Sequence, residues 1–299
     1  MKTLNMMIKR NTKMFFKDKG IFFTSLITPL ILLVLYVTFL GNVYRDSVKQ
    51  VIETTGSTAS SELINACVGG QLFASLLAVC CVTVAFCANM LMVQDKVTGS
   101  RKDLSVSPVK DSTLAFSYYI SSFLSTLIVA LTAVAACLIY LLIIGWYMSF
   151  ADVVLILLDV ILLVGFGTAL SSIINSFLSS QGQISAVGSI VSSVYGFICG
   201  AYMPISQFGK GLQIVLSFLP GTYATCLLKN HAIRGSFNAM LEQGVSELTV
   251  TELKKMMDCN LYFFDNLVPI WAMYLILGLS VAILLATYVG MQMIKRKKK

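Results

Sequence analysis

The chain has 299 residues, of which 57% are hydrophobic and only 12% charged, and its net charge is +8. That charged fraction is about half the share in a soluble domain, which excludes a water-surrounded globular enzyme. The positive excess sits beside apolar runs, where anionic lipid accounts for it more simply than nucleic acid does, so an all-α integral membrane protein is expected, with lipid rather than nucleic acid as a partner.

Residues 1–20 place Leu4, Met7, Ile8 and Phe15 near helical spacing, with Lys9, Lys13 and Lys17 on another face. The pattern predicts a basic amphipathic helix lying on the inner membrane surface. Six apolar runs follow, at roughly 21–40, 66–93, 113–145, 153–174, 184–203 and 267–294. A hydrocarbon core about 30 Å thick needs about 20 apolar residues in a helix, so residues 21–299 read as one domain of six spans. The first run follows Lys19 and has no small-residue cleavage site after it, so it is expected to stay as an anchor.

In the second run Gln71 and Ser75 share a face at i and i+4, and in the third Ser117, Ser121 and Ser125, with Ser122 and Thr126, form a stripe. Such hydroxyls and amides either line a polar route, for which Gln71 and Ser75 are candidates, or hydrogen-bond between helices. Between the two runs lies a wet segment, QDKVTGSRKDLSVSPVK, within residues 94–112. Gly99 permits a turn at one side of it and Pro108 ends one at the other.

Asp159 is the ionisable residue well inside a run, about 10 Å below the edge marked by Asp152. An intramembrane carboxylate is costly and often functional. The spans offer it no basic partner, which leaves a cationic substrate, a proton, or Lys210, Lys229 or His231 reaching in from the following segment. The fifth run spaces Gly188, Ser192, Gly196 and Gly200 four residues apart, predicting a small-residue ridge for close helix approach within or between subunits. After it, residues 203–234 hold two apolar stretches too short to cross, broken at Pro220-Gly221, and read as two short re-entrant or interfacial helices before the last span. Residues 235–266 read as a polar segment with one soluble helix near Thr249 to Met257.

Lys and Arg set the orientation. With both ends and the 94–112 segment on one side, 15 basic residues fall there against 7 on the other, predicting cytoplasmic termini. Cys80, Cys81, Cys87, Cys137 and Cys199 lie inside apolar runs as small hydrophobes. No phosphate-cradling loop, zinc spacing or nucleophile–base pair is present, and the chain carries one histidine.

Asp95, Gly99, Arg101, Lys102, Asp103, Leu104, Ser107, Pro108 and Val109 lie in order between the second and third of six spans. With Thr28-Pro29-Leu30, Met203-Pro204-Ile205 and Leu219-Pro220-Gly221-Thr222-Tyr223, they resemble permease subunits of type-2 ATP-binding-cassette exporters, of the G-subfamily-like, type V exporter arrangement. The resemblance covers nearly the whole chain. It departs from the usual pattern at Asp95, where Glu is common, and at Pro220-Gly221. It implies a non-enzymatic half-transporter in a bacterial cell membrane, paired with a second permease, identical or closely related. ATP and Mg would sit on a separate ATPase subunit, with no cofactor in this chain. It further implies that the 94–112 loop is a coupling helix in a groove of the ATPase. Asp95, Lys96, Gly99, Arg101, Lys102, Asp103, Ser107 and Pro108 are then its coupling residues, and mixed charge selects the partner.

The substrate expected is a hydrophobic or amphipathic drug, antimicrobial peptide or lipid-like compound, passing along the second and fifth spans past Gln71, Ser75 and Asp159, with the Gly188–Ser192–Gly196–Gly200 ridge at the subunit interface. A polysaccharide or lipid-linked glycan, a proton- or cation-coupled carrier using Asp159, and a peptide-binding immunity protein are the alternatives.

Overall fold

In the computed structural model the described residues are 2–106, 109, 111–264 and 266–297, with the side chains of 102, 105, 111 and 292–297 outside the description. In chain order the helices are α1 (Lys2–Lys17), α2 (Lys19–Leu35), α3 (Gly41–Thr54), α4 (Ser61–Val97), α5 (Ser100–Val106), α6 (Asp111–Ile144), α7 (Phe150–Phe177), α8 (Gln181–Ile198), α9 (Lys210–Ser217), α10 (Pro220–Glu242), α11 (Glu247–Met256) and α12 (Ile270–Lys297). A two-stranded antiparallel ribbon, β1 (Tyr262–Phe263) and β2 (Asn266–Leu267), precedes the last helix. The protein is all-α in class and multi-pass in the membrane. Five stretches are long and apolar enough to cross, namely Lys19–Thr54, Ser61–Val97, Ser112–Ile144, Phe150–Phe177 and Ile270–Met291, and the pair α9–α10, bent by 92°, adds a broken or re-entrant sixth. The fifth predicted run forms α8, whose Gln181, Gln183 and four serines make it less apolar than its neighbours.

Local chemistry sets the breaks. Asp18 ends α1 and caps α2 by accepting from the Ile21 amide, and Ser60 caps α4 through the Leu63 amide. Ser149 with Asp152 and Ser180 with Gln183 form reciprocal capping boxes that start α7 and α8. Pro220 takes the first turn of α10, where its missing N–H is no loss.

The centre of the bundle is α4. Of its most apolar window, 89% is buried, against 22% for α6 and 11% for the last span. Helices α2, α6, α7, α8 and α10 all lean on it. It therefore lacks a polar stripe, as a helix enclosed on all sides must. The outward faces of α6, α7 and α12 leave Leu142, Ile143, Val154 and Ile283 open, a surface that belongs in lipid.

The two ends differ. At one, α1 packs Met7, Asn11 and Phe15 inward while Lys2, Lys9, Lys13 and Lys17 stay exposed. At the other, the first span runs through a π-helical turn at Tyr36–Leu40 straight into α3, which carries Tyr44, Val48 and Ile52 against the bundle. Helix α11 docks on α3, and Thr249 Oγ1 donates to Thr55 Oγ1 at 2.7 Å. The residues expected as a loop at 42–54 are thus helical, and α10 reaches Glu242 rather than stopping near Arg234.

Candidate functional site

At the end carrying the termini, the last turns of α4 hold a buried carboxylate. Asp95 receives the Arg10 guanidinium through both oxygens, Nη1 to Oδ2 at 2.8 Å and Nη2 to Oδ1 at 3.2 Å, and Tyr118 Oη donates to Oδ2 at 2.5 Å. This fork is directional as well as charged, and it ties α1, α4 and α6 together. The hydrogen bond to Asp95 holds the Arg10 guanidinium above its ordinary pKa against the opposing effect of burial. Beside it, Asn11 Nδ2 donates to Ser117 Oγ at 3.4 Å. Lys96 turns the other way and donates to the carbonyls of Asn175, Ser176 and Leu178 at 3.3, 3.1 and 3.0 Å, a cation on the exposed acceptors at the α7 C-terminus. Asp95 and Lys96, expected to pair with a partner's surface, are both engaged inside the chain.

The rest of the wet segment lies on α5. Gly99 has φ +84, the left-handed turn that lets α4 stop and α5 begin. Leu104 and Val109 pack on Met7, Leu91, Met92, Leu114 and Tyr118. Asp103 and Val106 face outward, and Arg101 is half-buried. Lys102 belongs to α5 with its side chain undescribed, and Ser107 and Pro108 lie outside the described residues.

A groove of about 1170 Å³ runs between α2 and α8 with α4 as its floor. Asp18, Gln94 and Gln181 mark one end, Tyr44, Tyr202, Met203 and Gln207 the other, and Thr28, Ile31, Cys87, Met90 and Ser192 line the middle. The predicted ridge on α8 divides along it. Gly188 faces Met90, whose Cε would lie 2.7 Å from an added Cβ, and Ser192 opens on the groove. Gly196 is covered by the ring of Tyr202 from its own chain, and Gly200, at φ +75, turns the chain out of α8. The latter two are thus filled internally rather than left for another helix. Gln71, Ser75 and Asp159 do not line the groove. All three are sealed in the core at 0% exposure, which corrects the expectation that they border a route.

Instead, α10 carries three bases, each paired with a carboxylate. His231 Nδ1 lies 2.6 Å from Asp159 Oδ2, and Tyr274 Oη donates to Oδ1 at 2.7 Å. Arg234 Nη2 lies 2.5 Å from Asp152 Oδ1. Lys229 Nζ lies 3.7 Å from Asp258 Oδ2 and donates to the Gly200 carbonyl at 3.0 Å. Asp159 thus finds its base among the candidates left open, on α10. All eight cysteines are free thiols, with Cys226 Sγ donating to the Cys259 carbonyl at 3.3 Å.

Midway along α4, Asn89 joins three helices. Its Nδ2, with two hydrogens to give, lies within bonding reach of the Thr168 carbonyl, Ser171 Oγ and Ser172 Oγ at 3.2, 2.8 and 2.7 Å, and its Oδ1 accepts from Ser122 at 3.1 Å. Arg10, Tyr118 and Asn89 were not singled out by sequence reasoning. Asn89 alone left a signal, an amide deep in the second apolar run.

Among families of known proteins, the model described as ABC-2 type transporter matches residues 3–229, from α1 into α10. No curated protein matches the chain.

Proposed function

The chain belongs to the ABC-2 type transporter family, and on that premise we propose that it is the membrane half of an exporter driven from α5 by a separate ATP-hydrolysing subunit. As a member of that family it is a transport component with an ATPase as its normal partner. The step from the family to a mechanism rests on one observation. Helix α5 is fastened through Leu104 to the ends of α4 and α6, where Val109 also packs, and the Arg10–Asp95–Tyr118 clamp locks those ends to α1. A displacement of α5 therefore moves stiff helices of 37 and 34 residues, about 50 Å of lever, instead of being absorbed in a loop.

In this reading Arg101, Lys102 and Asp103, with Ser107 and Pro108, belong to the segment that meets the ATPase, and Gly99 shapes the turn before it. Asp95 and Lys96 anchor the lever from behind. ATP and Mg belong to the partner. The groove between α2 and α8 is the route, closed on its open side by a second permease chain against Gly188 and Ser192. Its lining suits a hydrophobic or amphipathic substrate, since among the described residues Asp18 is the one charged residue along it and the polar groups are neutral hydroxyls and amides. The 15 basic residues against 7 support cytoplasmic termini in a bacterial cell membrane.

The experiment is charge reversal, Arg101→Glu with Lys102→Glu, in cells expressing the ATPase. The protein should insert normally, lose about tenfold or more of its ATPase in pull-down, and lose transport. Normal capture of the ATPase would overturn the assignment of α5. Transport that persists without ATP hydrolysis and stops with Asp159→Asn would favour a gradient-coupled carrier.

A further inference from the structure

We propose that the buried Lys229–Asp258 pair is a latch that holds residues 199–208 as the end wall of the groove, and that releasing it opens the groove at that end. The inference rests on reading the groove as a transport route. Tyr202, Met203, Pro204 and Gln207 of this segment form the end of the groove away from the termini. The backbone bonds of the segment hang its start from the end of α8 and close the rest on itself. The Ala201 and Tyr202 amides donate to the Gly196 carbonyl at 2.9 and 3.0 Å, and Phe208 N donates to the Ile205 carbonyl at 3.0 Å. Gln213 donates to the Ser206 and Phe208 carbonyls at 3.1 and 2.7 Å, so α9 travels with it.

Two side chains fasten the segment to the far elements. Lys229 on α10 donates to the Gly200 carbonyl at its start, and the Asp258 carboxylate, just past α11, accepts from the Ile205 and Ser206 amides in its middle. Asp258 sits at φ 54, a conformation in which few residues other than glycine, asparagine and aspartate rest. Each partner thus grips the backbone directly, and the ion pair joins the two grips.

The three α10 pairs differ in a way that suits this role. Arg234–Asp152 and His231–Asp159 are close, at 2.5 and 2.6 Å, and fix α10 to α7. Lys229–Asp258 is long, at 3.7 Å, and the ammonium is 1% exposed. The two groups of this pair also bind the backbone of the 199–208 segment, which those of the other two pairs do not, so loosening it frees that segment while α10 stays tied to α7. Helix α10 is the fixed post, and the 199–208 segment is the part that swings.

The test uses the full chain with its ATPase in sealed membrane vesicles. Ser192→Cys places a thiol in the groove, and a membrane-impermeant maleimide is applied from the side to which α3 and α11 project, with the parent chain as background. Lys229→Met and Asp258→Asn should each raise the labelling rate at position 192 about tenfold, the shift that one buried contact supports. Arg234→Gln, which loosens α10 elsewhere, should change it less than twofold. An unchanged rate in either latch variant that inserts would overturn the proposal, and so would an equal rise with Arg234→Gln, since that marks general loosening. Tyr202→Ala, which removes wall and leaves the pair, should raise labelling without either substitution, and no rise there would contradict the position of the wall. Labelling is read without transport, so a latch-dependent rate in a protein that needs no ATPase would sink the exporter reading alone.

Discussion

Arg10 and Asp95 lie 85 residues apart, and their two-pronged contact ties α1 to α4 at the base of the bundle. Asp95 is buried while Arg10 is partly open, so the pair works mainly by satisfying a carboxylate that has left water. Removing one partner is then worse than removing both. Arg10→Met should lower unfolding stability in detergent by about 2 kcal/mol, Tyr118→Phe by about 1 kcal/mol, and Arg10→Met with Asp95→Leu by less than the sum of those two single variants. A loss equal to that sum in thermal unfolding would show that the three groups do not act as one clamp. Asn89→Leu removes about three hydrogen bonds among α4, α6 and α7, two donated and one accepted. At about 0.6 kcal/mol per bond inside a bilayer, the loss should be about 2 kcal/mol, and an unchanged melting temperature would contradict it. These residues were poorly legible in the sequence because a charge pair across 85 positions has no periodicity. Asp95 read as part of a solvated run, and only folding α1 onto α6 turns it inward. Asp159 was legible as an anomaly, but its partner was not, since His231 stands 72 residues away on a helix that read as ending near Arg234.

At the scale of elements, the apolar runs did announce the spans. Five became α2, α4, α6, α7 and α12 because runs of such length leave the backbone no other way to satisfy itself in lipid, while the fifth run became α8, which is not among the helices long and apolar enough to cross. The amphipathic start and the break at Pro220-Gly221 were equally plain. Helix α3 was hidden because Arg45, Asp46 and Lys49 interrupt hydropathy without interrupting the helix, whose inward stripe of Tyr44, Val48 and Ile52 has period four. The Gly188–Gly200 spacing was read as one surface, whereas the chain turns at Gly200 and folds Tyr202 back on Gly196. Helix α5 depends on the turn before it. Gly99→Val would force a branched side chain into left-handed backbone at a cost of about 1–2 kcal/mol. The protein should still insert, but with ATPase capture reduced several-fold; full capture would show that the turn's shape is not what presents α5.

For the whole molecule, the claim is that one end receives a push and the groove on the far side of α4 feels it. Sidedness comes first. An impermeant thiol reagent applied to intact cells should modify Glu53→Cys at the tip of α3 and reach Asp103→Cys only after the membrane is opened; the reverse pattern would invert the transporter and end the account. The most direct measurement places an environment-sensitive fluorophore at Ser189→Cys, on the groove face of α8, in the chain reconstituted with its ATPase. Addition of ATP and Mg should change the emission. Charge reversal at Arg101 and Lys102 should abolish that change while leaving the protein folded. An identical response with and without the reversal, or none in the unaltered α5, would contradict the relay from α5 through α4 to the groove.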